Sequence, residues 1–175
     1  GYKYREDNIL VEPEPKNTLP AIYAGINEIV KKGNDTVVIF PSDHMIMKSK
    51  EFADLIKESE PLTIDSLVTF GIQPDGPNTG YGYIMPGEKK ENGYIVDSFK
   101  EKPNKEKAIE YINSGCYWNA GIFMFNTGIF INEVKKYALE IYEAFDKSEN
   151  LNSAFSKIQT KISIDHGIME KSSRV

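Results

Sequence analysis

Hydrophobic positions along the chain fall into short blocks of two kinds. Ile22, Ile26, Ile29 and Val30 recur at helical spacing. They follow the capping residues Asn17 and Thr18 and the first-turn Pro20, and Lys31-Lys32-Gly33 supplies a basic last turn and a stop. This spacing predicts a helix over 18–32. Thr36-Val37-Val38-Ile39-Phe40 is an unbroken β-branched and aromatic run, the signature of a strand buried on both faces of a parallel sheet, and the segment 66–72 reads as a second buried strand. Ile9-Leu10-Val11 is a shorter apolar run, cut off by Pro13 and Pro15, and reads as a strand preceding the first helix. Strand, helix, strand predicts a βαβ unit with a right-handed crossover.

Further along, 52–58 reads as a short amphipathic helix, and Gln73-Pro74-Asp75-Gly76-Pro77-Asn78 as dense turn chemistry. Segments 81–85 and 94–99 predict an antiparallel hairpin across a loop at 86–93. A helix over 105–113, an apolar strand over 117–125, a long amphipathic helix over 127–145 and a helical continuation over 151–158 follow. A last short helix over 162–170 has Asp165 as its cap. This order predicts a three-layer α/β/α domain with a mixed, mostly parallel sheet and a small antiparallel hairpin.

Composition narrows the function classes. The 175 residues carry 21 Lys+Arg against 26 Asp+Glu, a formal charge of -5. Such a chain has no global basic field for nucleic acid. No apolar run approaches the length of a membrane span, and no apolar segment at the N-terminus resembles a secretory signal. Cys116 is the single cysteine, so no intrachain disulfide forms, which suits a reducing cytoplasm. The chain opens almost in mid-strand, which suggests a piece of something longer.

Ligands of open α/β sheets bind beyond the carboxyl ends of strands, which directs attention to the residues that follow each strand. Asp43, just after 36–40, is either a hard oxygen ligand for Mg²⁺ or a turn residue bonding its own backbone. His44 and His166 share no metal-ligand spacing and read as structural. In Thr79-Gly80-Tyr81-Gly82-Tyr83 two glycines either admit a ligand to bare backbone or mark a bulge. Lys100-Glu101-Lys102-Pro103 could hold sugar hydroxyls and a phosphate or simply be solvated. Asn119, an amide inside an apolar strand, needs a partner, either a neighbouring backbone or a ligand.

Seven motifs occur in one order: Glu12-Pro13 with Lys16-Asn17-Thr18-Leu19-Pro20-Ala21, Pro41-Ser42-Asp43-His44, Phe70-Gly71-Ile72, Thr79-Gly80-Tyr81-Gly82-Tyr83-Ile84, Glu101-Lys102-Pro103, 117–123, and 163–171. The series resembles the mannose-1-phosphate guanylyltransferases, the GDP-mannose pyrophosphorylases of the sugar nucleotidyltransferase group. The resemblance implies a Rossmann-like nucleotide-diphospho-sugar transferase fold and transfer of GMP from GTP to mannose 1-phosphate with Mg²⁺. It implies that Asp43 holds the metal beside the nucleotide, and that Asn17, Thr18 and Pro20 face the base. Gly80 and Gly82 match the loop that admits the sugar, Glu101 and Asn119 the residues that hold its hydroxyls, and Lys102 the cation near its phosphate. Two departures accompany these matches. Family members open on a glycine-rich loop with Arg and Lys, whereas the early basic residues Lys3, Arg5 and Lys16 have no such companions, and a second metal Asp expected after Asp165 is absent. The expectation is an internal fragment, a single partial domain over 1–175 that is inactive alone and whose apolar sheet edges favour a homo-oligomer. Two alternatives are a non-catalytic sugar-phosphate-binding or regulatory relative, and a transferase of another sugar or nucleotide.

Overall fold

The computed structural model describes residues 8–100 and 102–175. In chain order its elements are α1 (Thr18–Val30), β1 (Thr36–Ile39), α2 (Ser49–Ser59), β2 (Val68–Ile72), β3 (Tyr83–Lys90), β4 (Gly93–Lys100), α3 (Lys105–Asn113), β5 (Tyr117–Asn126), α4 (Thr127–Tyr137), α5 (Leu139–Asp146) and α6 (Leu151–Lys157). A 3-10 segment, Glu60–Ile64, precedes β2, and a π-helical turn, Asp165–Met169, follows α6. Two compact units emerge, one comprising the chain up to Asp35 with Phe130–Lys171, the other Thr36–Ile129 with Ser172–Val175.

The sheet belongs to the second unit and is organised around β5. β1 pairs with it antiparallel from Thr36↔Asn126 to Ile39↔Phe123. β2 pairs with it antiparallel from Val68↔Met124 to Ile72↔Trp118. Because Phe123 and Met124 have partners in both β1 and β2, those strands lie on opposite sides of β5. β3 pairs with β5 through Tyr83↔Trp118 and Ile84↔Tyr117, and with β4 as a hairpin, again antiparallel.

The expected mostly parallel sheet is therefore corrected: every pairing among the described residues is antiparallel. β1 and β2 do run in one direction, joined through α2, but β5 lies between them in the opposite sense. An unbroken apolar run reports that both faces of a strand are covered and carries no information on its neighbour's direction. β5 shows this, since the successive residues Ile122, Phe123, Met124 and Phe125 are all buried although they alternate between faces. Phe70, Ala120, Ile122 and Met124 form one core cluster, with Val38, Phe52, Ile56 and Val68 against it. Tyr83, Ala108 and Cys116 form another with Met85, Tyr111, Ile112 and Trp118.

Other boundaries also move. Ile9-Leu10-Val11 is no strand and is exposed, so the expected first βαβ unit lacks its first member; three apolar residues before two prolines cannot sustain a ladder. The 86–93 loop shrinks to Glu91-Asn92, because β3 runs through Pro86 with register shifts on either side. The helix over 127–145 breaks at Ala138, whose φ of -141° is extended. At the final turn Ile164 rather than Asp165 occupies the cap position.

The first unit has an aromatic core. Tyr23 meets Phe145 edge-on at 5.1 Å and lies 6.5 Å from Phe130, while Phe145 stacks edge-on against Phe155 at 6.0 Å. Burial here, reinforced by Tyr142 and Asp146, pushes the Tyr23 phenol up to about 12.

Candidate functional site

In the first unit, the segment leading into α1 is held by the segment beyond α6. Ile162 donates its N–H to the Lys16 carbonyl at 3.3 Å, Leu19 donates to the Ile162 carbonyl at 3.1 Å, and Ile164 donates to Thr18 Oγ1 at 2.9 Å. The buried Lys16 ammonium pairs with Glu14 at 2.9 Å and donates to the Ile158 carbonyl. Asn17 caps the helix, its Oδ1 accepting from the Thr18 N–H at 2.8 Å. Its backbone has φ 73° and ψ -177°, a region reserved almost entirely for glycine. No other non-glycine residue among those described has a positive φ. Pro20 is buried in the first turn of α1.

The second unit holds the remaining expected residues. Asp43 is exposed in the turn that follows β1. Gly121, in β5, has φ 64°, and a Cβ there would meet Pro41 at 3.5 Å, so the Pro41-Ser42-Asp43 turn comes up beside the bend in β5. That bend is closed by Asn119, whose Oδ1 accepts from the Gly121 N–H at 3.0 Å. A local backbone partner thus meets part of the demand of an amide in an apolar strand.

Gly82 and Asn119 are brought together. The Asn119 N–H donates to the Gly82 carbonyl at 2.8 Å, and a Cβ on Gly82 would lie 3.7 Å from Asn119 Cβ and 3.6 Å from the Lys100 carbonyl. Gly80 stands in the loop between β2 and β3, donating its N–H to Asn78 Oδ1 at 2.7 Å. Lys102 is exposed two residues beyond β4. Glu101 lies outside the described residues.

The loop 73–82 crosses the start of β5, because Ile72 before it and Tyr83 after it both pair with Trp118. The buried Tyr83 fastens it: its hydroxyl donates to the Asn78 carbonyl at 2.9 Å and accepts from the Asn78 N–H at 3.1 Å. Under the loop opens a shallow concavity of about 360 Å³ lined by Asp75, Gly76, Pro77, Asn78, Thr79 and Trp118. Tyr81 packs edge-on against Trp118 with ring centroids 5.0 Å apart. The residue pattern singled out the glycines and Asn119 here and missed the Asn78–Tyr83 clamp. The turn-rich 73–78 ending on Asn, followed by an aromatic cluster, was its available signal.

Among the described residues no group of three or more His, Cys, Asp or Glu could hold a metal. A single carboxylate is nonetheless compatible with Mg²⁺, which takes one or two protein carboxylates and completes its shell with water and substrate phosphate; Asp43 is exposed and can serve so. His166 Nδ1 lies 2.7 Å from Glu170 on the π-helical turn, a structural contact. Cys116 is buried with Sγ 3.9 Å from Met85 Sδ, and burial pushes its thiol up despite Lys100. No helix among the described residues is long and apolar enough to cross a membrane.

Residues 1–165 match the family model described as nucleotidyl transferase. A mannose-1-phosphate guanylyltransferase 2 of Escherichia coli O157:H7 is 34% identical over 95% of this chain and 39% of its own length. Among solved structures, the mannose-1-phosphate geranyltransferase of Thermus thermophilus superposes with TM-score 0.90 at 30% identity, over 95% of this chain and 50% of that one. The mannose-6-phosphate isomerase of Helicobacter pylori superposes with TM-score 0.78 at 34% identity, over 94% and 68%. The chain thus spans about 39% of the length of that curated relative.

Proposed function

The chain belongs to the nucleotidyl transferase family, and we propose that it carries the sugar-facing part of a mannose-1-phosphate guanylyltransferase. In that reaction an oxygen of mannose 1-phosphate attacks the α-phosphorus of GTP in line. The bond to the β-phosphate oxygen breaks, giving GDP-mannose and pyrophosphate. There is little covalent work for the protein, which positions two anions and neutralises charge.

The observation that carries this reading is the pairing of Gly82 with Asn119. A glycine without a side chain beside an amide at a strand bend leaves room for a hexose and offers a donor and an acceptor for its hydroxyls. On this reading Gly80 and Gly82 admit the sugar, and Asn119 with Glu101 holds its hydroxyls. Lys102 neutralises the sugar phosphate, and Asn17, Thr18 and Pro20 face the base. Asp43 would hold Mg²⁺, which when bound neutralises charge on the phosphates. A three-layer arrangement, cytoplasmic location and homo-oligomeric state belong to the same proposal. Because the sequence contains no glycine-rich basic loop to cradle a triphosphate, the chain alone is proposed to bind sugar phosphate without turnover. A second reading is a non-catalytic sugar-phosphate-binding relative, in which the Gly82–Asn119 pairing would serve binding without transfer.

Calorimetric titration with mannose 1-phosphate, with Mg·GTP and with both together tests these readings. Sugar-phosphate binding that Asn119→Ala weakens roughly tenfold, about 1.4 kcal/mol, is the expected outcome. No affinity for any sugar phosphate would sink both readings, and release of pyrophosphate by this chain would sink the claim that it is inactive alone.

A further inference from the structure

The hairpin of β3 and β4 is closed by a two-residue turn, Glu91-Asn92, with Lys90 and Gly93 as its last paired residues. Asn92 is exposed, and its side-chain amide has no hydrogen bond among the described residues. Other asparagines are tied down. Asn78, Asn119 and Asn126 each hold the side-chain oxygen on the backbone N–H of a glycine two residues on, at 2.7, 3.0 and 2.9 Å, which fixes the direction of the amide. The residue after Asn92 is itself a glycine, and nothing stands within 4 Å of the place a Cβ on Gly93 would take. Its nitrogen therefore has no side chain crowding it, and the tip of a hairpin belongs to the parts of a fold that open most easily.

We propose that Asn92-Gly93 is a site of self-modification, at which Asn92 exchanges its side-chain amide for an acid with water as the co-reactant. The Gly93 backbone nitrogen gives up its proton and attacks Asn92 Cγ. A bond from that nitrogen to Cγ closes a five-membered succinimide ring, the bond from Cγ to Nδ2 breaks, and Nδ2 leaves as ammonia with the proton taken up. Water then opens the ring. Addition at Cγ restores the main chain with an aspartate side chain at position 92, whereas addition at the main-chain carbonyl leaves the chain running through Cβ and Cγ as an isoaspartate. One asparagine and one water thus give one acid and one ammonia. Either product sets a new carboxylate beside Glu91 on a chain already at -5, while the adjoining Lys90 ammonium is engaged by Glu88 at 2.6 Å. The isoaspartate also lengthens the backbone of a two-residue turn, and turn length fixes hairpin register.

The test incubates the whole chain for days in neutral and in mildly alkaline buffer and follows the tryptic peptide 91–100 by mass, in which Asn92 is the only asparagine. Expected is a gain at Asn92 of the mass that separates an acid from an amide, with an isoaspartyl methyltransferase signal rising alongside it. Conversion should be faster in the alkaline buffer, and Asn78, Asn119 and Asn126 should stay intact over the same period. Gly93→Ala, whose methyl finds open space, should keep its thermal midpoint and convert on the order of tenfold more slowly, because a Cβ crowds the attacking nitrogen. A synthetic peptide of residues 91–100 gives the rate without a fold. A folded chain that stays intact while that peptide converts overturns the inference, and so does a Gly93→Ala chain that converts at the unsubstituted rate. Should Gly93→Ala fold poorly, the unsubstituted chain decides, since conversion at Asn92 that does not accelerate with pH overturns attack by a deprotonated nitrogen.

Discussion

Leu19 Cδ2 lies 2.5 Å from the point where a Cβ on Gly167 would stand. A leucine at the start of α1 thus occupies the space that a glycine in the π-helical turn leaves open. Leu19 is fully buried, so it cannot swing aside into solvent. Gly167→Ala is expected to destabilise by about 1–3 kcal/mol through overpacking. A double-mutant cycle with Leu19→Ala should show coupling of at least about 0.5 kcal/mol, since the smaller partner makes room for the new methyl. Urea denaturation of the four proteins measures it, and strictly additive changes would show that the two sites do not meet.

Asn17 is held where glycine is at home. Asn17→Gly relieves backbone strain of about 1–3 kcal/mol and gives up a side-chain cap whose loss to glycine costs only a few tenths of a kcal/mol. Its expected effect is a net gain in stability, with Asn17→Ala falling below both. If the residue faces the base, the stabilised Asn17→Gly protein loses affinity for guanine nucleotide in the same preparation. Thermal melts paired with nucleotide titration check both halves.

Two other glycines should behave oppositely. A Cβ on Gly71 would sit 2.8 Å from Tyr117 Cβ, an atom fixed by a strand backbone, so Gly71→Ala is expected to cost about 1–3 kcal/mol. A Cβ on Gly82 finds only ordinary contacts at 3.6 and 3.7 Å. Gly82→Ala should change stability by less than about 1 kcal/mol while weakening mannose 1-phosphate binding. Chemical denaturation combined with calorimetry separates fold from site, and a Gly82→Ala chain that binds normally would remove this glycine from the site.

Glu140 gives a pH dependence. The Thr160 hydroxyl, then the Gln159 N–H, hold its carboxyl below the usual range, with the Thr160 N–H and Lys16 adding smaller contributions and slight burial opposing. A depressed folded-state value means stability that is present above the unfolded value, near the ordinary glutamate range of about 4.3, and lost as pH falls through the folded one. The stability difference between the native chain and Glu140→Gln should therefore be full at neutral pH and shrink below about pH 4. Parallel melts from pH 7 to 3 decide it. A constant difference across that range would show that Glu140 acts through its shape and not its charge.

Helices were the most legible part of the fold. The caps Asn17, Asn104 and Asn150 all accept backbone hydrogen bonds at the starts of α1, α3 and α6, and such residues announce themselves in sequence. Strand direction was not legible, because β5 reads as one more apolar run and only its pairing reveals that it opposes β1 and β2. The site was half legible. Gly82 and Asn119 stand out by residue type, and they meet in the sheet. The Asn78–Tyr83 clamp was missed, since a turn followed by an aromatic cluster does not say which hydroxyl closes on which backbone group.

β1, β2 and β3 all take β5 as a partner, and β5 begins at Tyr117. A ribosome working from the N-terminus releases β1 and β2 long before that strand exists. Until then, among the described residues, the hairpin of β3 and β4 is the only pairing of this sheet whose two strands both exist. Assembly of the second unit thus waits on one late segment, with β1 closing across some eighty or ninety residues of intervening chain. Such distant closure makes for slow folding, with the apolar run at 36–40 exposed meanwhile to other chains. Growth temperature and chaperone supply would then govern the yield of this protein as strongly as its final stability does.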